Sequence, residues 1–175
     1  MKTLKEYITE GILDIEDNIE NLTEESLIED FIRENYNTTA KIQIKKNGDK
    51  YIVSTKGHVG VKNNNITELT NDLFEWSEVG GSFYCRDCTS LESLIGAPKK
   101  VENIFRCDWC TSLESLKGAP KKVGRDFYCS GCTSLKDLIG APKEVGINFY
   151  CEKCGKKFTE EDVRSVCDVK RQIKV

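Results

Sequence analysis

Cysteine is the residue type in this chain best suited to chemistry, and it occurs nine times in 175 residues. Eight of the nine form Cys-x2-Cys pairs: Cys85/Cys88, Cys107/Cys110, Cys129/Cys132 and Cys151/Cys154. Successive pairs are separated by 18 residues, the spacing of a zinc ribbon, in which two pairs converge as four thiolates around one tetrahedral ion. If zinc is bound, these eight residues are its ligand candidates. The uniformity of the array argues for another use. Every pair has the same neighbours, so no two are singled out to close on one metal. A thiol nucleophile would need a base and a lowered pKa. The chain has one histidine, His58, outside the cysteine-bearing units. There is no P-loop, no His-Glu-x-x-His and no Gly-x-Ser-x-Gly. The acids at 160–162 read as a helix start, and Gly80-Gly81 as a turn. The expectation is a non-enzymatic protein without a cofactor.

The elements that carry the cysteines are repeats. Corresponding cysteines lie 22 residues apart, and the residues between them recur: CTSLESLIGAPKKV (88–101), CTSLESLKGAPKKV (110–123) and CTSLKDLIGAPKEV (132–145). Phe83, Phe105, Phe127 and Phe149 precede the pairs in the same register. A period of 20 to 50 residues signals a solenoid, in which one turn cannot bury its apolar face without its neighbours. Phe and the first Cys are expected to point inward from a short strand, roughly Phe-x-Cys. The second Cys is expected in the tight turn that follows, where only a small side chain fits. Stacked thiols also lie close enough for bridging on Cα distance.

The unit Val-x3-Phe-x-Cys-x2-Cys-x2-Leu-x2-Leu, as in Val123, Phe127, Cys129, Cys132, Leu135 and Leu138, resembles the leucine-rich repeat. Cys132 stands in the Asn/Cys place of that pattern. The Gly-Ala-Pro-Lys segments, with Pro98, Pro120 and Pro142, resemble the short extended back of the bacterial type found in secreted effectors. The resemblance covers about residues 53–165. It implies stacked parallel strands on a concave face where partners dock. On that face one outward column is Tyr84, Arg106, Tyr128 and Tyr150. A second is Arg86, Asp108, Ser130 and Glu152, and a third Asp87, Trp109, Gly131 and Lys153. Tyr, Trp and Arg are the usual anchors of protein interfaces. Stacked tyrosines also serve simply to stabilise a ladder, and both readings stand. The binding candidates are Tyr84, Arg86, Arg106, Asp108, Trp109, Tyr128, Tyr150 and Glu152. Lys99, Lys100, Lys121, Lys122 and Lys143 form a basic row on the opposite face.

A solenoid needs caps. HVGVKNNNITEL (58–69) is a degenerate unit with Val59 and Val61 in the places of Phe83 and Cys85, and Asn64 in the place of Cys88. KIQIKKNGDKYIVST (41–55) alternates around Asn47-Gly48, the signature of a hairpin with a type I′ turn. Downstream, Thr159 followed by three acids predicts a short capping helix, with Cys167 packed nearby and the tail a last strand or frayed. Residues 1–36 hold eleven acids against Lys2, Lys5 and Arg33, more than the chain's whole excess of −3. Leu4, Ile8, Ile12, Ile15, Ile19 and Leu22 recur at helical spacing, and Thr23 caps a second helix burying Leu27, Phe31 and Ile32. The acidic segment is a candidate to dock on the lysine row. The fold class is thus an α+β repeat: a short leucine-rich-repeat solenoid with parallel strands, N-terminal helices and β-hairpin cap, and a C-terminal helical cap. The domains are 1–36 (acidic helical), 37–57 (hairpin cap), 58–154 (solenoid) and 155–175 (C-terminal cap).

No apolar run approaches the 18 residues of a membrane span, and the first residues show no apolar signal core followed by a small-residue cleavage site, so a secreted protein is not expected. The acidic balance makes nucleic acid the weaker partner and a protein the stronger one. The chain is expected as a monomer or weak dimer. MKTLKEYITE resembles the capsid-targeting peptide of internal head proteins in T-even-like tailed phages, Met-Lys-Thr-x-x-Glu-(Phe/Tyr)-Ile-x-Glu. Met1, Lys2, Thr3, Glu6, Tyr7, Ile8 and Glu10 match. The resemblance implies phage origin, cleavage after Glu10, and a place in the virion or the cytoplasm of the host.

Overall fold

Each repeat unit has two points where extended backbone must turn an apolar side chain inward: the Phe, and the Val four residues before it. The computed structural model describes residues 23–70, 72 and 74–175. The expected first helix and the Glu10 cleavage point lie outside the described residues. The elements run α1 (Glu24–Asn35), β1 (Tyr36–Asn37), β2 (Ile42–Asn47), β3 (Lys50–Thr55), β4 (Val59–Val61), β5 (Phe74–Val79), β6 (Phe83–Tyr84), β7 (Lys100–Val101) and β8 (Phe105–Arg106). They continue with β9 (Lys122–Val123), β10 (Phe127–Tyr128), β11 (Glu144–Val145), β12 (Phe149–Tyr150), α2 (Glu160–Val166), β13 (Asp168–Val169) and β14 (Ile173–Lys174).

The chain is a parallel-strand β-solenoid of about six turns, with one described helix near each end. Its strands form two sheets rather than the single strand per turn expected from sequence. The first sheet has the order β1-β4-β6-β8-β10-β12-β14, and the second β13-β11-β9-β7-β5-β3-β2. The Lys-Val and Glu-Val dipeptides, whose Val is expected from sequence only as the first apolar place of the unit, make the second sheet: Val101, Val123 and Val145 point inward at zero exposure while the preceding residue faces out. The register is in phase, Phe83↔Phe105↔Phe127↔Phe149 in one sheet and Val79↔Val101↔Val123↔Val145 in the other.

Two turns join the sheets in each unit. Leu91, Leu113 and Leu135 donate their N–H to the carbonyls of Cys88, Cys110 and Cys132, at 3.0–3.1 Å. Three residues on, Ala97, Ala119 and Ala141 donate to Leu94, Leu116 and Leu138, at 2.9–3.0 Å. Between each Leu and Ala stands Gly96, Gly118 or Gly140, with φ of +94°, +93° and +85°. This is the type II turn, whose third residue must be left-handed. Space demands glycine as well, since a Cβ on Gly118 would lie 2.3 Å from the backbone nitrogen of Ile95. The core between the sheets is the Phe and Val columns, the leucines of the repeats, and the thiols, all buried except Cys154. Each fully buried Phe, Leu or Val contributes about 1.5–3 kcal/mol relative to exposure.

Antiparallel strands close the upstream end of both sheets: β1 on β4, and β2 on β3. The β2–β3 hairpin pairs Asn47 with Lys50, so its loop is Gly48-Asp49, one residue later than expected. Only Gly48 has a positive φ, +65°, so the turn is not type I′. Asn64, expected in the place of the buried Cys88, is exposed. The unit is one residue shorter after it, and Asn63 turns the loop outward by accepting from the Asn65 N–H at 2.9 Å. Helix α1 begins as expected at Thr23, whose side chain accepts from Ser26 N, and buries Leu27, Ile28, Phe31 and Ile32. It packs on the upstream end, where Glu24 meets Lys46 and Tyr51. The acids of 24–35 are therefore not on the lysine row. That row has its own partners: Lys99 meets Glu75 at 2.7 Å, Lys122 meets Glu144 at 3.0 Å, and Lys100 bridges Glu78 and Glu102. At the other end Thr159 and Asp162 form a reciprocal cap on α2. Cys167 is buried, and the tail adds β13 and β14 as a further turn of both sheets.

Candidate interaction surface

The parallel register of the first sheet sets Tyr84, Arg106, Tyr128, Tyr150 and Lys174 side by side on its outer face. All but Lys174 are half-buried. The Arg106 guanidinium lies 4.7 Å from the Tyr128 ring centre. Tyr128 and Tyr150 stack at 4.4 Å and 5°, and Lys174 lies 5.4 Å from the Tyr150 ring. The sequence is cation, ring, ring, cation, so both π faces of the tyrosine pair meet positive charge. At the upstream end the His58 ring stacks on Tyr84 at 6.2 Å. Burial, then the Asp126 carboxylate nearby, holds the Tyr128 phenol above its ordinary pKa. The row is thus a self-supporting ladder that still presents ring edges and cations outward.

One member of the second expected column, Asp108, does not stay outside. Asp108 is buried, with only 4% of its side chain exposed. Arg106 is the cause: its Nε and Nη2 donate to the two carboxylate oxygens at 2.8 and 3.0 Å, folding Asp108 beneath the guanidinium. Arg86 remains exposed, paired with Asp87 at 2.9 Å and 4.0 Å from Asp108. Glu152 is exposed, and its N–H donates to Ser130 Oγ at 3.0 Å. Asp108 therefore positions Arg106 rather than meeting a partner.

The third column shares a conformation. Asp87, Trp109, Gly131 and Lys153 have φ of 58°, 63°, 75° and 55°. Trp109 is an uncommon residue for that region. Its indole lies over the next turn at Gly131, where a Cβ would fall 2.5 Å from the ring. Glycine at 131 gives the indole its seat, yet Trp109 stays 44% exposed. The pairing of a large ring with the column's only glycine is legible in the repeat alignment, and sequence reading passed over it.

Inside, the thiols form two columns of hydrogen-bond donors. Cys85, Cys107 and Cys129 donate to the carbonyls of Arg106, Tyr128 and Tyr150, one turn on, at 3.3–3.4 Å. Cys110, Cys132 and Cys154 donate one turn back, to the carbonyls of Cys85, Cys107 and Cys129, at 3.0–3.3 Å. Burial raises the Cys107 and Cys129 thiols well above their ordinary range. Among the described residues no group of three or more His, Cys, Asp and Glu is arranged to hold a metal ion.

A polar column missed in the sequence runs along the corner before Val59, Phe83, Phe127 and Phe149, broken at Ile104. His58 Nδ1 accepts from the Ser82 N–H, Ser82 Oγ from Ile104, Asp126 Oδ1 from Asn148, and Asn148 Oδ1 from Gln172, at 2.9–3.3 Å. Each of these side chains satisfies a corner N–H of the following turn that would otherwise be left over. The signal was a polar residue immediately before the buried Phe. It gives His58 a structural task away from every thiol pair described above. Compared with family models, with curated proteins and with solved structures, the chain finds no match in any of the three.

Proposed function

We propose that the chain is a non-enzymatic protein–protein interaction module whose binding surface is the outer face of the first sheet. The observation that carries the reading is the row Arg106, Tyr128, Tyr150 and Lys174 beside the exposed Trp109. Tyr and Trp offer large contact area at low conformational-entropy cost, and an Arg already held by a carboxylate has less freedom left to lose. Here the ladder holds them in place before any partner arrives. Tyr84, Arg86 and Glu152 form the rim, and Asp108 fixes Arg106 from below. The repeat is a variant of the leucine-rich type in this reading, with Cys132 and its equivalents in the Asn/Cys place. The test is a double substitution, Trp109→Ala with Tyr128→Ala, in a quantitative pull-down from the native source. A partner retained by the wild type should be lost by the double variant while circular dichroism keeps its β signal. Equal retention overturns the assignment of the surface.

The match of Met1 to Glu10 with a head-protein targeting peptide supports a second reading, a phage-encoded protein packaged in the capsid and delivered to the host. N-terminal peptide mapping of purified particles tests it. A mature start at Gly11 is expected. An intact Met1, with the protein absent from particles, ends that reading and leaves the adaptor reading untouched.

A further inference from the structure

The four Cys-x2-Cys pairs are alike in sequence but not in setting. In the three upstream pairs both cysteines are fully buried. Cys110 and Cys132 spend their thiols on carbonyls of the previous turn, as Cys154 does on that of Cys129 at 3.3 Å, and Cys88 on that of Arg86 at 3.7 Å. The last pair differs in two respects. Cys154 is only half-buried, alone among the eight repeat cysteines. Its Sγ lies 3.0 Å from Cys151 Sγ, across a tight turn that Lys153 passes with a φ of 55°. A disulfide bond is about 2.05 Å long, so closure requires the sulfurs to approach by about 1 Å, within a turn that already holds the two cysteines three residues apart.

From this geometry we infer that Cys151 and Cys154 form a thiol–disulfide exchange site for small-molecule disulfides, with Cys154 as the attacking thiol and Cys151 as the resolving one. Cys154, as thiolate, attacks one sulfur of a disulfide RSSR. The S–S bond breaks, a mixed disulfide forms at Cys154, and one thiol RSH leaves with the proton. Cys151 then gives up its proton and attacks Cys154 Sγ, releasing the second RSH. The protein loses two electrons and two protons, and RSSR becomes two RSH. The reverse reaction restores both thiols under reducing conditions.

Charge placement agrees with these roles. Two thiols in contact do not both ionise, and the half-exposed one carries the charge. Interaction with the neighbouring Cys129 and Cys151 sulfurs outweighs burial and lowers Cys154 to about 4, while Cys151 is raised above the ordinary thiol range. The buried columns upstream have no such exit for charge, so reaction stops at the last turn.

The experiment uses the full chain, fully reduced, with oxidised glutathione at neutral pH. Acid quenching, alkylation and peptide mapping then locate the modified residues with time. Closure of the 151–154 bridge is expected, with Cys154 reacting at least about tenfold faster than any other thiol in the folded protein. Its alkylation rate should stay nearly flat from pH 8 to pH 5. Cys151→Ser should stop the reaction at a stable glutathione adduct on Cys154. Equal reaction across the cysteines, fastest reaction at Cys167, or no bridge before the chain is denatured would overturn the proposal. The kinetic reading is made on the wild type, so it stands even if a variant does not fold.

Discussion

Between Phe83 and Cys151 nearly every buried side chain meets a copy of itself one turn away, whereas between Thr23 and Thr55 none does. In the repeat region the rings of Phe83, Phe105 and Phe127 stack at 5.4–5.6 Å and within 8° of parallel. In the upstream cap Tyr36, Phe74 and Trp76 meet edge to face, at 5.5–5.9 Å and 76–87°. Identical neighbours in one register have the same rotamer available and lie flat on one another. Unlike rings in a non-repeating corner settle edge-on, where the positive rim of one meets the negative face of another. The cap also holds a buried phenol, Tyr36, pushed up to about 12 by desolvation. The repeats hold buried polar groups as well, but Asp108 and Asp126 each stand in a single turn, and only the small thiols recur down the array. One region is therefore specified by translation, and the other by a set of individual fits that must end the array.

Substitutions can break that contrast or sharpen it. The largest effect is expected for Phe127→Ala, which empties the centre of the stack and should cost about 3–5 kcal/mol. Because turns are stabilised by their neighbours, hydrogen exchange should accelerate together from Phe105 to Phe149. Acceleration confined to one turn would show that the ladder does not act as a unit. Next is a matched pair of glycines. Gly118→Ala forces a Cβ to within 2.3 Å of neighbouring backbone, whereas at Gly48 in the hairpin nothing lies within 4 Å. Both sites have positive φ, so Gly48→Ala should cost only the local strain of about 1 kcal/mol and Gly118→Ala clearly more, read as denaturation midpoints. Equal costs would mean the turns are not closely stacked.

Thr23→Ala removes the cap of α1 and should cost about 1 kcal/mol. Exchange should rise over residues 24–35 while the repeat turns stay protected. Smaller still is the response to acid. Hydrogen bonds from Tyr51 and then Lys46 hold the Glu24 carboxyl below its ordinary 4.5. A carboxyl depressed on folding stabilises above its unfolded pKa, and that help is lost as pH falls through the folded value. Loosening of α1 is thus expected only below about pH 4.5, and it should be slight because Glu24 is exposed. Loosening that sets in above that pH would point to another group. The smallest change is expected from EDTA under reducing conditions. With every repeat thiol but Cys88 and Cys151 donating to a carbonyl of an adjacent turn, the melting midpoint should shift by less than about 1 °C, whereas a zinc module would unfold.

The period, the inward Phe, Cys and Leu columns, the upstream hairpin and both threonine caps were all legible in the chain, because each rests on local chemistry or on identity between copies. Three matters were not. In the repeats the second sheet rests on two-residue strands, too short for an alternation to be read, which exist only because neighbouring turns supply their partners. The fate of Asp108 depended on Arg106, two positions earlier at the end of β8, reaching over it with both donors. The difference between Cys154 and the other repeat cysteines arises because an identical motif at the last turn has a different neighbour on one side. Sequence alone determines what repeats. Tertiary structure decides what each copy touches, since contact depends on both adjacent turns, and at the ends of a solenoid those turns are no longer the same.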